Sequence, residues 1–281
     1  MRRVLTRIDR VVLAVPERQS VVAAWTELLG AEVASEDKVG GLGALRTRLR
    51  LGTGHVDVLE PEGVGDVQDA VDRRGGHLFA AGAATSDTRD VLLALQQRGV
   101  PHLALGTTMD GETWFDAGHG LRLVVDLDRS LPAVGRIDEF YEVTNLVNDA
   151  GAASLELADL MGLHPSAFEP IASTEYGYAG TLTLFDPDRL HRVEVIHPDS
   201  PTKTMGRYYG KHGESLYMCF AETGELGAIT ASFRERGVAH TAVGDHTTFI
   251  HPQALGGAMV GLSRRTYAWT WSGHPERVQP I

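Results

Sequence analysis

The chain has 281 residues, 43% of them hydrophobic and 22% charged, so it holds enough apolar surface for a sizeable core and is not a disordered sequence. Its 26 Lys+Arg against 37 Asp+Glu give a net charge of −11 with no basic stripe to offset it, which excludes nucleic acid as an expected partner. No apolar run reaches the roughly 18 residues of a membrane span, and a single cysteine, Cys219, leaves no internal disulfide, so a soluble cytoplasmic protein is expected.

The N-terminal stretch MRRVLTRIDRVVLAV is interrupted by Arg7, Asp9 and Arg10 and reads as a strand rather than a signal peptide. A helical pattern follows over Ser20–Leu29 and stops at Gly30, then two extended runs, Leu42–Leu51 and His55–Pro61. The same order recurs three times. The run HLFAAGAA from His77 precedes a helix over Ser86–Arg98 closed by Gly99, with strands at VPHLAL, ETWFDA and LRLVVDL. YEVTNLV from Tyr141 precedes a helix over Asp149–Met161 closed by Gly162, with strands at GTLTLF and HRVEVIHP. SLYMCFA from Ser215 precedes a helix over Glu225–Arg236 closed by Gly237, with strands at AHTAV, TTFIHP and AMVGL. A glycine after the last apolar position suits the left-handed residue that ends many helices.

Two of these units share a phrase, RGVPH at Arg98–His102 and RGVAH at Arg236–His240, set 138 residues apart. Four strand–helix–strand units in register, with that offset near half the chain, are read as a duplicated pair. The expected fold is α+β: four βαβββ modules forming two cupped mixed sheets. Residues 1–130 make the first pair, 137–270 the second, joined near SLPAVGR (Ser130–Arg136), and 271–281 form a tail. Each half is expected to carry two helices outside its sheet.

The βαβββ unit, its pairing, and the phrases VEVIHP (Val193–Pro198) and FIHPQALGGAMVGL (Phe249–Leu262) resemble the vicinal oxygen chelate superfamily over roughly Ile8 to Arg265. That group includes glyoxalases, methylmalonyl-CoA epimerases, extradiol dioxygenases and bleomycin-binding resistance proteins. The resemblance implies a cavity inside each cupped sheet, with a divalent metal on its floor. The implied ligand positions fall at Arg10, Asp57, His77 and Val124 in the first pair and at Glu142, Glu194, Ser215 and Gly261 in the second. Arginine repels a cation, valine and glycine have no donor, and serine is a weak one. Neither pair reaches the three protein ligands typical of an open site. No cofactor is therefore expected. If a divalent ion does bind, His55, Asp57 and His77 are the residues to hold it.

Side chains alternate across a strand, so Glu142 and Glu194 are expected to share the second cavity, and Ser215, Tyr217 and Cys219 to face it together. Two enclosed carboxylates repel, which raises one pKa and makes that residue a usable acid or base. Glu142, Glu194 and Tyr217 are the catalytic candidates, and neutralising Glu142 is expected to spare the fold. Ser215, Cys219, His246, Arg192, Tyr208 and Tyr209 are the ligand-binding candidates; Tyr208 and Tyr209 lie in a polar connection, Asp199–Gly213, read as a loop. The first cavity, floored by Arg10 and Val124, is expected to be structural. The aromatic YAWTW at Tyr267–Trp271 points to packing over the pocket or against a partner subunit, as in a homodimer.

For function, the resemblance implies an isomerase or lyase that moves a proton next to a carbonyl in a small oxygenated metabolite. Ring cleavage is disfavoured, because two of the implied iron-ligand positions are Ser215 and Gly261. The other class carried is a metal-free binding protein of the bleomycin-binding kind. There is no P-loop, dinucleotide fingerprint, HExxH or GxSxG.

Overall fold

The computed structural model describes residues 4–106, 111–129 and 131–280; Met1–Arg3 of the N-terminal stretch and Ser130 of the linker lie outside them. The first module runs β1 (Arg7–Ala14), α1 (Arg18–Leu29), β2 (Glu32–Val39), β3 (Ala44–Leu51), β4 (Gly54–Pro61). A helix, α2 (Asp66–Arg74), links it to β5 (His77–Thr85), α3 (Thr88–Gln97), β6 (His102–Leu105), β7 (Glu112–Asp116) and β8 (Arg122–Leu127). The second half repeats the order: β9 (Glu139–Leu146), α4 (Ala150–Met161), β10 (Glu169–Ser173), β11 (Tyr178–Leu184), β12 (Arg192–Pro198). Then follow α5 (Thr204–His212), β13 (Ser215–Thr223), α6 (Leu226–Arg236), β14 (His240–Val243), β15 (Thr247–Ile250) and β16 (Met259–Arg264).

Each half forms one eight-stranded mixed sheet, in the orders β2-β3-β4-β1-β5-β8-β7-β6 and β10-β11-β12-β9-β13-β16-β15-β14. These are the same order, so the four-module α+β reading holds. The connection Asp199–Gly213, expected to be a loop, is corrected: Thr204–His212 forms α5, with Met205 buried. Its counterpart α2 was missed too, so among the described residues each half has three α-helices rather than two. Both are short and mostly polar, and tertiary packing on a sheet stabilises them more than propensity does. Strand β2 was also missed, because seven of its eight residues are exposed and show no alternation.

The termini of the long helices follow local chemistry. Asp149 accepts the Ala152 N–H at 3.0 Å, and Glu17 and Asp87 cap α1 and α3 in the same way. Convex-face side chains such as Ile8, Leu13, Val143 and Ala221 join Trp25, Leu95, Leu157 and Phe233 from the helices in one core that spans both halves. No helix among the described residues is long and apolar enough to cross a membrane.

Both halves carry the same two β-bulges. One falls at Asp9 on β1 and at Tyr141 on β9; the other falls at Phe79 on β5 and at Tyr217 on β13. A bulge places two successive side chains on one face and re-aims the strand. Phe79 and Ala80 accordingly both lie on the concave side of the first sheet.

The concave side of the first half is filled. Arg10 is fully buried and donates to Glu112 at 2.7 Å and to Asp126. Arg48 holds both oxygens of Asp57 at 2.7 Å, and Arg46 joins Asp37 to Glu112. Burial alone would raise the Asp57 carboxyl, but Arg48, Arg10 and Arg46 hold it below the usual range. Val12, Leu59, Trp114 and Val124, with Val67 and Ala70 of α2, close the rest. The space for Arg10 exists only because its neighbour on β5 is glycine: a Cβ on Gly82 would lie 1.8 Å from Arg10 Cγ. Gly82→Ala should therefore lower stability by about 3 kcal/mol, at the upper end of overpacking costs, read as a shift in the urea midpoint; a loss below about 1 kcal/mol would show that Arg10 can move aside.

Candidate functional site

At the matching level of the second half the sizes are exchanged. Phe220 stands where the first half has Gly82, and Gly261 where it has Val124. A Cβ on Gly261 would meet the Phe220 ring at 2.3 Å, so the glycine is the seat of that ring. Without an arginine cluster here, the concave side of the second sheet keeps a cavity of about 330 Å³.

Its floor comes from paired strands. Arg192 on β12 lies beside Glu142 on β9, and Glu194 beside Thr144. Arg192 Nε donates to Glu142 Oε2 at 2.6 Å and its Nη1 to Ser272 Oγ at 2.8 Å, with the guanidinium fully buried. Glu194 accepts from Thr144 Oγ1 at 2.5 Å and is 4% exposed. Burial and then the Glu142 charge push the Glu194 carboxyl up to about 8. Burial also raises Glu142, but Arg192 opposes it. Glu142 is the carboxyl that keeps its charge, because a buried guanidinium without a counterion costs far more than a neutral Glu194.

The walls are aromatic and thioether-rich. Tyr176, Tyr178, Tyr217, Phe249 and Trp271 line the cavity, with Met205 from α5 and Met218 and Met259 below. Tyr217 reaches it through the β13 bulge, and burial holds its hydroxyl up at about 12, a donor at any physiological pH. Tyr208 does not line it. It stands edge-on to Tyr217 at 4.8 Å, takes a hydrogen bond from Arg74 of α2 and donates to Leu216 O. Tyr209, on α5, is half-buried and does not line the cavity. His246 lines the mouth, stacked on Tyr267 at 4.0 Å. Trp271, at the start of the segment read as a tail, lines the cavity, and Ser272 accepts from the floor residue Arg192.

Of the six ligand-binding candidates only His246 lines the cavity; Tyr208, Tyr209, Cys219, Ser215 and Arg192 do not. Strict alternation holds on β13 only to Tyr217; after the bulge the even positions Met218 and Phe220 face inward. Cys219 therefore points into the helix-covered core, fully buried, with its thiol raised by burial and inert. Ser215 is on the concave side but donates to Gly213 O at 3.2 Å and does not line this cavity. Arg192 is a floor residue bound to Glu142 rather than a ligand contact. Thr144 was missed although it lies two residues from Glu142 on one strand face, a signal the sequence does carry. Phe220 had no such signal, because the β13 bulge sets its direction, and Trp271 lies beyond the last strand.

The donor set does not fit a divalent ion. Glu142 is taken by Arg192, and the same level of β13 and β16 presents Phe220 and Gly261, neither with a donor atom. Among the described residues no three His, Cys, Asp or Glu side chains gather at metal-binding distance. The fallback trio fares no better: Asp57 is held by Arg48 through both oxygens, and His55, Asp57 and His77 do not gather at metal-binding distance. Dialysis against EDTA is expected to leave the melting temperature unchanged, since a tightly bound ion would stabilise the native state by mass action; a clear drop would reveal a site built from other residues.

Comparison with solved structures gives the fold its class. The chain superposes on a triple mutant of 4-hydroxymandelate synthase from Streptomyces coelicolor with TM-score 0.76 at 13% identity, covering 94% of this chain and 93% of that one. It superposes on a Mn(II)-bound glyoxalase from Novosphingobium aromaticivorans with TM-score 0.62 at 11% identity, covering 94% and 83%. A xylose isomerase-like TIM barrel/4-hydroxyphenylpyruvate dioxygenase fusion protein gives TM-score 0.64 at 11% identity, covering 94% of this chain and 50% of that one. No protein-family model and no curated protein sequence matches. The chain has the vicinal oxygen chelate fold, in its four-module, two-sheet form.

Proposed function

We propose that the second half carries the activity, and that it moves a proton next to a carbonyl in a small, largely apolar molecule without a metal. The observation that carries this reading is Glu194: an enclosed carboxyl facing a cavity, with Thr144 as its partner and a pKa held near neutrality, where a general base works best. Its carboxylate would take the α-proton, the electron pair of that C–H bond would form the enolate C=C bond, and the carbonyl π pair would move onto the oxygen. Tyr217 and Tyr178, both lining the cavity and both held protonated by burial, supply hydroxyl donors for that developing charge. Returning the proton to the same or another carbon gives exchange or isomerisation. Glu142 does not transfer protons in this scheme; its fixed charge, anchored by Arg192, sets the basicity of Glu194. Deuterium incorporation at the α-carbon of cyclic and aryl ketones, followed by NMR, tests it. Uptake that depends on Glu194 supports the reading, and its absence across the series leaves the second reading, a binding protein without turnover, which the aromatic walls favour.

A further inference from the structure

We propose that the second cavity takes a ring-bearing organic cation, a protonated amine or quaternary ammonium, and rejects the corresponding carboxylate. The inference rests on the assignment of this cavity as the ligand site and not on proton transfer by Glu194.

Three carboxyl side chains line the cavity: Glu142 and Glu194 on the floor and Glu175 at the exposed mouth. Among the described lining residues there is no lysine and no arginine, and His246 is the single ring base. The nearest guanidinium, Arg192, is spent on Glu142 and Ser272, and its remaining nitrogen, Nη2, is sealed from solvent without a partner. An entering anion would lose its hydration against two carboxyls and find only hydroxyls in return. A cation meets the opposite conditions. Six rings surround it (Tyr176, Tyr178, Tyr217, Phe220, Phe249 and Trp271), and ring faces attract ammonium groups. Beside such a cation Glu194 favours its carboxylate form, which adds a charge-assisted partner at the floor.

Calorimetric titration of the full chain with phenethylamine, phenethyl alcohol and phenylacetate separates charge from shape, since the three differ only in the polar end. The amine is expected to bind about tenfold or more tighter than the alcohol, with phenylacetate showing no saturable binding at millimolar concentration. Glu175→Gln, at an exposed position, should cut that preference in part, and Glu175→Gln with Glu194→Gln should cut it further, leaving the part supplied by the ring faces. Equal affinity for amine and alcohol, preference for phenylacetate, or no saturable amine binding would each overturn the proposal. Binding is read here without turnover, so amine selectivity with no deuterium uptake would leave the cation site standing and remove the proton-transfer reading alone.

Discussion

Replacing Glu194 by glutamine should reduce α-carbon exchange by about 10²–10⁴-fold, the usual contribution of a positioned acid or base. Glutamine keeps the size and can still accept from Thr144, so the loss isolates proton transfer from packing. The pH dependence supplies a second readout. With Glu194 held at about 8, exchange by the wild-type chain should rise through that region to a plateau, because only the carboxylate takes a proton. Stability moves the other way. The folded pKa lies above the unfolded value of about 4.5, so the folded state binds more protons between those two values. Stability is highest below about 4.5 and falls as pH rises toward 8, by on the order of a few kcal/mol. In Glu194→Gln this slope should flatten, and the variant should melt higher than wild type at alkaline pH. Thermal melts across the range check this. An unchanged slope with unchanged exchange would remove Glu194 from both roles.

Neutralising Glu142 should do the reverse: it should damage the fold. Sequence reasoning places Glu142 as one of two repelling carboxylates whose loss is harmless, but the structure gives it Arg192 as a partner at 2.6 Å with no solvent on either side. Removing one member of a buried pair leaves the other charge uncompensated and typically costs 3–5 kcal/mol, roughly the loss expected for Glu142→Gln. Replacing both members, as in Glu142→Gln with Arg192→Met, should recover most of that stability, since apolar substitutes for a buried pair are often neutral. Chemical denaturation of the two single variants and the double variant forms the test. A Glu142→Gln protein as stable as wild type would mean that the ion pair contributes little and that Glu142 is free for chemistry.

Much of this protein is legible along the chain. The four modules follow from helices closed by glycine, from apolar strands of matching order, and from the RGVPH and RGVAH phrases; these are local signals of capping and periodicity that need no partner to be read. Glu142, Glu194 and Tyr217 could be placed on the cavity side because strands alternate. What the chain could not reveal depends on contacts between distant residues. The bulge at Tyr217 shifts the inward face to Met218 and Phe220 and turns Cys219 into the core, and a bulge is a mismatch between two strands rather than a property of one. Arg192 and Glu142 are fifty positions apart in sequence but adjacent in the parallel pairing of β12 with β9, so their ion pair exists only once that register forms. The exchange of Gly82 and Val124 for Phe220 and Gly261 works the same way. Each half balances a large side chain against a glycine on the neighbouring strand, and that balance leaves one concave face filled by arginines and the other open as a cavity.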